Sequence, residues 1–224
     1  MNDSSAKIII NPEIKDVILA GCLQFSSLNC GEKNDALWNE MNLLAEKYKS
    51  QYDSPSEALD KLKPARELYY AIGMEPTRIR PSSEALFRRV VKGKSLYQIN
   101  SIVDVCNYCS LAFLLPIGLY DLDKIQGDIE FRLGKAGEEY EGIGKAEVHV
   151  GGRLTLSDDI GVFGNPSSDS LRTSIDLNSR NVLMVIFSKS TYSEEKMLSN
   201  NQFAGKAMLH YHPEGRLIRN FILK

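Results

Sequence analysis

The 224-residue sequence sets 27 Lys+Arg against 29 Asp+Glu, a formal net charge of −2, so no global field draws it to nucleic acid or an anionic membrane and any polyanion must meet a local basic patch. Its 43% apolar and 25% charged residues suit a globular chain with a sizeable core, and no apolar run approaches the roughly 20 residues of a membrane span. The four cysteines are too sparse for a disulfide framework, and "MNDSSAKIII" lacks a cleavage site after an apolar stretch, so a cytoplasmic protein with no membrane partner is expected.

In chain order, "KIIIN" and "DVILAGCLQF" read as strands, and "DALWNEMNLLAEKY" places Leu37, Met41, Leu44 and Tyr48 on one helical face. The next helix, in "DSPSEALDKLKPARELYYAIG", starts with Ser54 as N-cap, Pro55 at the first helical position and Glu57 as capping-box partner. Pro64 is expected to kink or divide it, and Gly73 to end it. After "MEPTRIRP" come helices "SSEALFRRVVKG" and "IVDVCNYCSLAFLL", then strands "DIEFRL", "EVHV" and "LTLSD". A polar loop, "FGNPSSDSLRTSI" at 163–175, leads to strand "NVLMVIF", a helix over "SEEKMLSNNQFAGKAMLHY" and a last strand "GRLIRNFIL". "NVLMVIF" is continuously apolar, as a central strand covered on both faces should be. The fold class expected is α/β of the α+β kind, a sandwich-like β-sheet core flanked by helices. The change of character near residue 75 suggests an N-terminal α/β extension, 1–75, packed on a core domain, 76–224.

Cys106 and Cys109 form a C-x-x-C, which reads either as half a zinc or redox site or as two small buried side chains at (i, i+3) on an apolar helix; the second is expected, with no metal. Asp121/Asp123 and Asp158/Asp159 read as turn formers, and His210 and His212 as a solvated helix end. In "TRIRPSSEALFRRVVKGK" the basic residues are Arg78, Arg80, Arg88, Arg89, Lys92 and Lys94. They form either an RNA-backbone contact beside a helix N-terminus, or a solvated face with Glu84 paired to Arg88 at (i, i+4).

The stretches "DVCNYCSLAFLLPIGLYDLDKIQGDIEFRLGKAGEEYEGIG", "LTLSDDIGVFGNPSSDS" and "NVLMVIF" resemble, in order and spacing, the editing domain of the phenylalanyl-tRNA synthetase beta subunit. That domain carries a D-x-x-N-Y helix, an aromatic-D-x-D-K turn, an I-x-x-R strand followed by G-E, and an N-V-L-L strand. "RPSSEALFRRVVKG" and "NPSSDSLRT" look more like the free-standing relatives of that domain, and residues 1–75 lie outside the resemblance. The resemblance implies an editing-type fold, tRNA or aminoacyl-tRNA as partner, and no cofactor.

In the family a His, a Gly and a Glu line a pocket that hydrolyses wrongly attached tyrosine. Here the Gly falls on Gly164, while Gly118 stands at the His position and Val185 at the Glu position, so tyrosine is not expected to be discriminated in that way. The polar loop then sits at the pocket wall. Asp169 is a candidate for an α-ammonium; the loop amides, Ser168, Ser170, Arg172 or Thr173 are candidates to orient an ester carbonyl or a water; Gly164 and Asn165 complete the substrate-binding candidates, and Asp169 and Thr173 are the catalytic candidates. The competing reading is that these residues cap the next element and that Asp169 pairs with Arg172. The function expected is tRNA binding or sensing. A trans-acting aminoacyl-tRNA hydrolase and a free amino-acid binding protein are the alternatives.

Overall fold

The computed structural model describes residues 6–144 and 147–224. The chain runs through β1 (Ile8–Ile10), β2 (Ile18–Ser26), α1 (Asp35–Gln51), a 3₁₀ turn (Pro55–Ala58), α2 (Leu59–Ala71), α3 (Ser82–Val91) and α4 (Ser101–Phe113). It continues with β3 (Ile117–Asp121), β4 (Ile129–Leu133), β5 (Glu139–Tyr140), β6 (Val148–His149), β7 (Leu154–Ser157), β8 (Val162–Asn165) and β9 (Ser168–Asp169). The last elements are β10 (Val182–Lys189), α5 (Glu194–Tyr211) and β11 (Arg216–Leu223).

A four-stranded sheet in the order β11-β2-β10-β3 lies at the centre. Alternation sends Val182, Met184 and Ile186 of β10 to one side, against α4 and α5 through Val105, Cys109, Met197 and Met208. Leu183, Val185 and Phe187 go to the other side, against Ile129, Phe131 and Leu156 of a five-stranded sheet ordered β1-β4-β7-β8-β9. Both faces of β10 are therefore covered, which is why its sequence shows no polar alternation. The architecture is mixed α/β, two facing sheets flanked by helices. Among the described residues no helix is long and apolar enough to cross a membrane.

The N-terminal segment contributes a strand to each of the two sheets. β2 is hydrogen-bonded on both sides, to β10 with Ile18 opposite Lys189 and to β11, and β1 pairs parallel with β4, Ile8 opposite Ile129. The first strands are thus woven into both sheets. α2 passes through Pro64 without dividing, and the expected capping box is replaced by the 3₁₀ turn, where Ser54 bonds the Glu57 carboxylate and does not cap a backbone amide. Gly73 does end the helix, at φ +71°.

The close approach of α5 to β2 depends on Gly21, since a β-carbon there would stand 2.7 Å from Met197 Sδ and 3.0 Å from Asn201 Cγ. Asn201 is itself fastened to Asn220 Oδ1 at 2.8 Å and cannot swing aside cheaply. Gly21→Ala is expected to cost about 1–3 kcal/mol by overpacking, read from chemical denaturation, without changing the slope of the transition.

Candidate functional site

The segment expected to be a loop is a hairpin. β8 ends at Asn165, Pro166 and Ser167 make the turn, and β9 returns with Asn165 opposite Ser168 and Gly164 opposite Asp169. Asn165 Oδ1 accepts the amides of Ser167 at 2.7 Å and Ser168 at 3.1 Å, closing the turn, while its Nδ2 donates to Tyr140 Oη at 2.8 Å. Tyr69 reaches the same turn, its hydroxyl 2.9 Å from the Pro166 carbonyl and 2.7 Å from Ser167 Oγ.

The remaining candidates of this segment are bonded to neighbouring groups of the fold, and Ser170 and Arg172 also line a cavity of about 350 Å³ beside Tyr140 and Glu141. Asp169 accepts the Leu119 amide at 3.3 Å, and the Tyr120 phenol is directed at its carboxylate. Burial, then the Asp169 charge, pushes the Tyr120 phenol far above its ordinary range. Ser170 and Thr173, both buried, share a hydroxyl contact of 2.9 Å. Arg172 does not pair with Asp169; it makes a bidentate pair with Asp158, 2.9 Å for each bond, and the Asp158 carboxyl sits below its usual range because the bonds from Arg172 and the backbone outweigh burial. The segment's polarity is thus spent largely on shaping the hairpin.

Gly118 and Val185, at the expected His and Glu positions, face each other across β3 and β10. The space beside Gly118 is filled by the chain's own Tyr120. A β-carbon on Gly118 would lie 2.7 Å from Tyr120 Cζ, and one on Gly164 2.5 Å from Tyr120 Oη. No room remains between these glycines for a substrate's aromatic ring.

At the start of α3, Glu84 is wholly enclosed. Arg66 grips it at 2.7 and 2.8 Å, Arg88 Nε lies 2.6 Å away and Arg80 Nε 3.8 Å away. The (i, i+4) pair with Arg88 is present, but its acidic member is in the core and not on a solvated face. Arg89 points elsewhere: its Nε donates to the Ser95 carbonyl, and its guanidinium carbon lies 4.0 Å from the centre of the Tyr97 ring.

Between α3 and α4 opens a cleft of about 470 Å³. Arg80, Ser82, Ala85, Leu86 and Arg89 line one wall; Cys106, Asn107, Ser110 and Ile117 line another; Tyr97 and Ser167 complete it. Of the residues expected at a site, only Arg80 and Arg89 are here. Arg78, Lys92 and Lys94 are exposed near the two ends of α3, without lining the cleft. Ser167, Asn107, Ser110 and Tyr97 were missed, although Asn107 is the Asn of the D-x-x-N-Y motif. A larger groove of about 690 Å³, beside Gln24, Asp123 and Asn181, contains none of the arginines or hairpin residues.

The B3/4 domain family matches residues 64–199. The chain belongs to the B3/4 domain family. The phenylalanine–tRNA ligase beta subunit of Streptococcus mutans is 33% identical over 124 residues, 52% of this chain and 15% of that protein. The Fusobacterium nucleatum subunit of the same name is 29% identical over 116 residues, 49% of this chain and 14% of that protein. The matched stretch therefore spans only about a seventh of these curated relatives. An N-terminal fragment of the phenylalanyl-tRNA synthetase beta subunit from Pyrococcus horikoshii superposes with a TM-score of 0.48 at 14% identity, over 99% of this chain and 55% of that one.

The match begins inside α2, so the B3/4 domain reaches back into the segment expected to lie outside it. Its motif polar groups act as fasteners. Asp104 accepts Trp38 Nε1 at 2.9 Å and the Ile99 amide at 3.0 Å; Arg132 clasps Glu138 at 2.7 and 2.8 Å; Asp121 accepts the Ser179 hydroxyl at 2.6 Å. Cys106 and Cys109 are buried, and burial pushes both thiols up. His210 is exposed as expected, but His212 is buried, its Nδ1 3.0 Å from the Asn29 carbonyl, so only part of that helix end is solvated.

Proposed function

We propose that this B3/4 domain binds the aminoacyl end of tRNA in the cleft between α3 and α4, in the cytoplasm. The observation that carries the reading is the lining: two guanidinium groups, Arg80 and Arg89, and an exposed aromatic ring, Tyr97, with no carboxylate among the described residues that line it. Arg78, Lys92 and Lys94 would extend the cationic surface along the RNA backbone. The matched relatives are tRNA ligase subunits, which fits an RNA ligand for this domain.

Binding is favoured over hydrolysis. The cleft offers no imidazole among its described residues, the Cys106 thiol is held protonated by burial, and the hydroxyl of Thr173 is engaged inside the fold. The reading is tested by anisotropy titrations of uncharged and aminoacylated tRNA at two salt concentrations. Binding that weakens as salt rises is expected, with aminoacyl-tRNA decaying at its spontaneous rate in the complex. Absence of tRNA binding at low salt, with a free amino acid detected by calorimetry, would replace this reading by that of a small-molecule binding protein.

A further inference from the structure

We infer that the Arg89–Tyr97 pair is a preset stacking platform for an unpaired nucleobase, the terminal base of the tRNA in the reading above, on which this inference rests. Tyr97 is 62% exposed, a large exposure for an aromatic side chain whose ring also lines a cleft. One face of the ring is covered by the Arg89 guanidinium at 4.0 Å. Arg89 is itself pinned, since its Nε donates to the Ser95 carbonyl, so the cation and ring are held together before any ligand arrives.

A guanidinium stacked on a phenol ring makes a flat surface with a cation behind it, and such a surface accepts the face of any base without reading its hydrogen-bonding edge. Nearby groups suit what is attached to a base. Arg80, 46% exposed at its side chain, lines the same cleft and can meet a phosphate while still near Glu84 at 3.8 Å. Ser82 Oγ, at the start of α3, is buried with no hydrogen-bond partner among the described residues and also belongs to the lining. Tyr97 lies in the irregular, mostly exposed segment 92–99 that joins α3 to α4, so its ring is supplied at the rim by a connection with no regular strand or helix of its own.

The experiment compares wild type, Tyr97→Phe and Tyr97→Ala against intact tRNA and the same tRNA lacking its terminal nucleotide. Tyr97→Ala is expected to weaken binding of intact tRNA on the order of 10- to 100-fold, and Tyr97→Phe to leave it near wild type. Trimming the terminal nucleotide should cost the wild type a similar factor and cost Tyr97→Ala nothing more. Thermal melts of all three proteins should coincide, because the ring is exposed. If intact tRNA binds but Tyr97→Ala and trimming act independently, or not at all, the platform is wrong and the tRNA reading stands. If the wild type binds no tRNA, both fall.

Discussion

Glu84→Ala is expected to destabilise the domain by about 3–5 kcal/mol, the cost of leaving inward-turned charges without their partner. The carboxylate is wholly enclosed, and the guanidinium groups of Arg66, Arg88 and Arg80 are arranged around it. Removing it leaves like charges facing one another between α2 and α3. Glu84→Gln preserves the shape and should cost less.

The pH dependence separates charge from packing. Burial alone would raise the Glu84 pKa, but the hydrogen bonds and charges of Arg66 and Arg88 outweigh it and hold the carboxyl below its ordinary value of 4.5. A group depressed on folding contributes fully above its unfolded pKa, and that contribution is lost as pH falls through the folded value. The stability gap between wild type and Glu84→Gln should therefore be constant near neutrality and shrink as urea midpoints are taken below pH 4.5. A gap that does not change with pH would show that Glu84 acts through packing only. The same cluster makes charge reversal at Arg88 unsuitable as a surface probe: a carboxylate there would stand against Glu84, and unfolding would be mistaken for lost RNA contact.

Continuous apolar sequence was enough to place β10 between two covered faces, and the family motif was legible because its polar residues are fasteners with fixed spacing, such as Arg132 with Glu138. Long-range pairing was not legible. Nothing near Ile18 in sequence says that it will lie opposite Lys189, so β2 read as part of an extension. The hairpin at Asn165–Ser168 read as a loop because its strands are short and its polar side chains serve the turn. The cleft draws on the segment before α3, α3, α4, the 92–99 connection, the first residue of β3 and the hairpin tip, each contributing one to a few side chains. No window of sequence contains that arrangement, and of its residues only Arg80, just before α3, and Arg89, within it, are marked by the sequence.

Tyr120 is the side chain on which the interior beside the hairpin depends, and Tyr120→Ala is expected to cost about 3–5 kcal/mol through the cavity it leaves. Its ring is fully buried, meets Phe163 edge-on at 5.1 Å between centroids, and fills the space that Gly118 and Gly164 leave open. Tyr120→Phe keeps the ring and removes only the hydroxyl directed at Asp169, so about 1–3 kcal/mol is expected. The glycines provide the sharper check. Gly118→Ala in the wild type drives a β-carbon into the phenol and should cost about 1–3 kcal/mol. Placed in Tyr120→Ala, the same change meets a cavity, and most of its cost should vanish, a coupling of about 0.5–3 kcal/mol in the double-mutant cycle. Urea denaturation of the four proteins measures it directly. Equal costs in both backgrounds would mean that the backbone, and not the Tyr120 ring, fixes glycine at position 118. Because Tyr120 does not line the cleft, Tyr120→Phe should also leave tRNA affinity unchanged, separating the packed interior beside the hairpin from the surface that meets RNA.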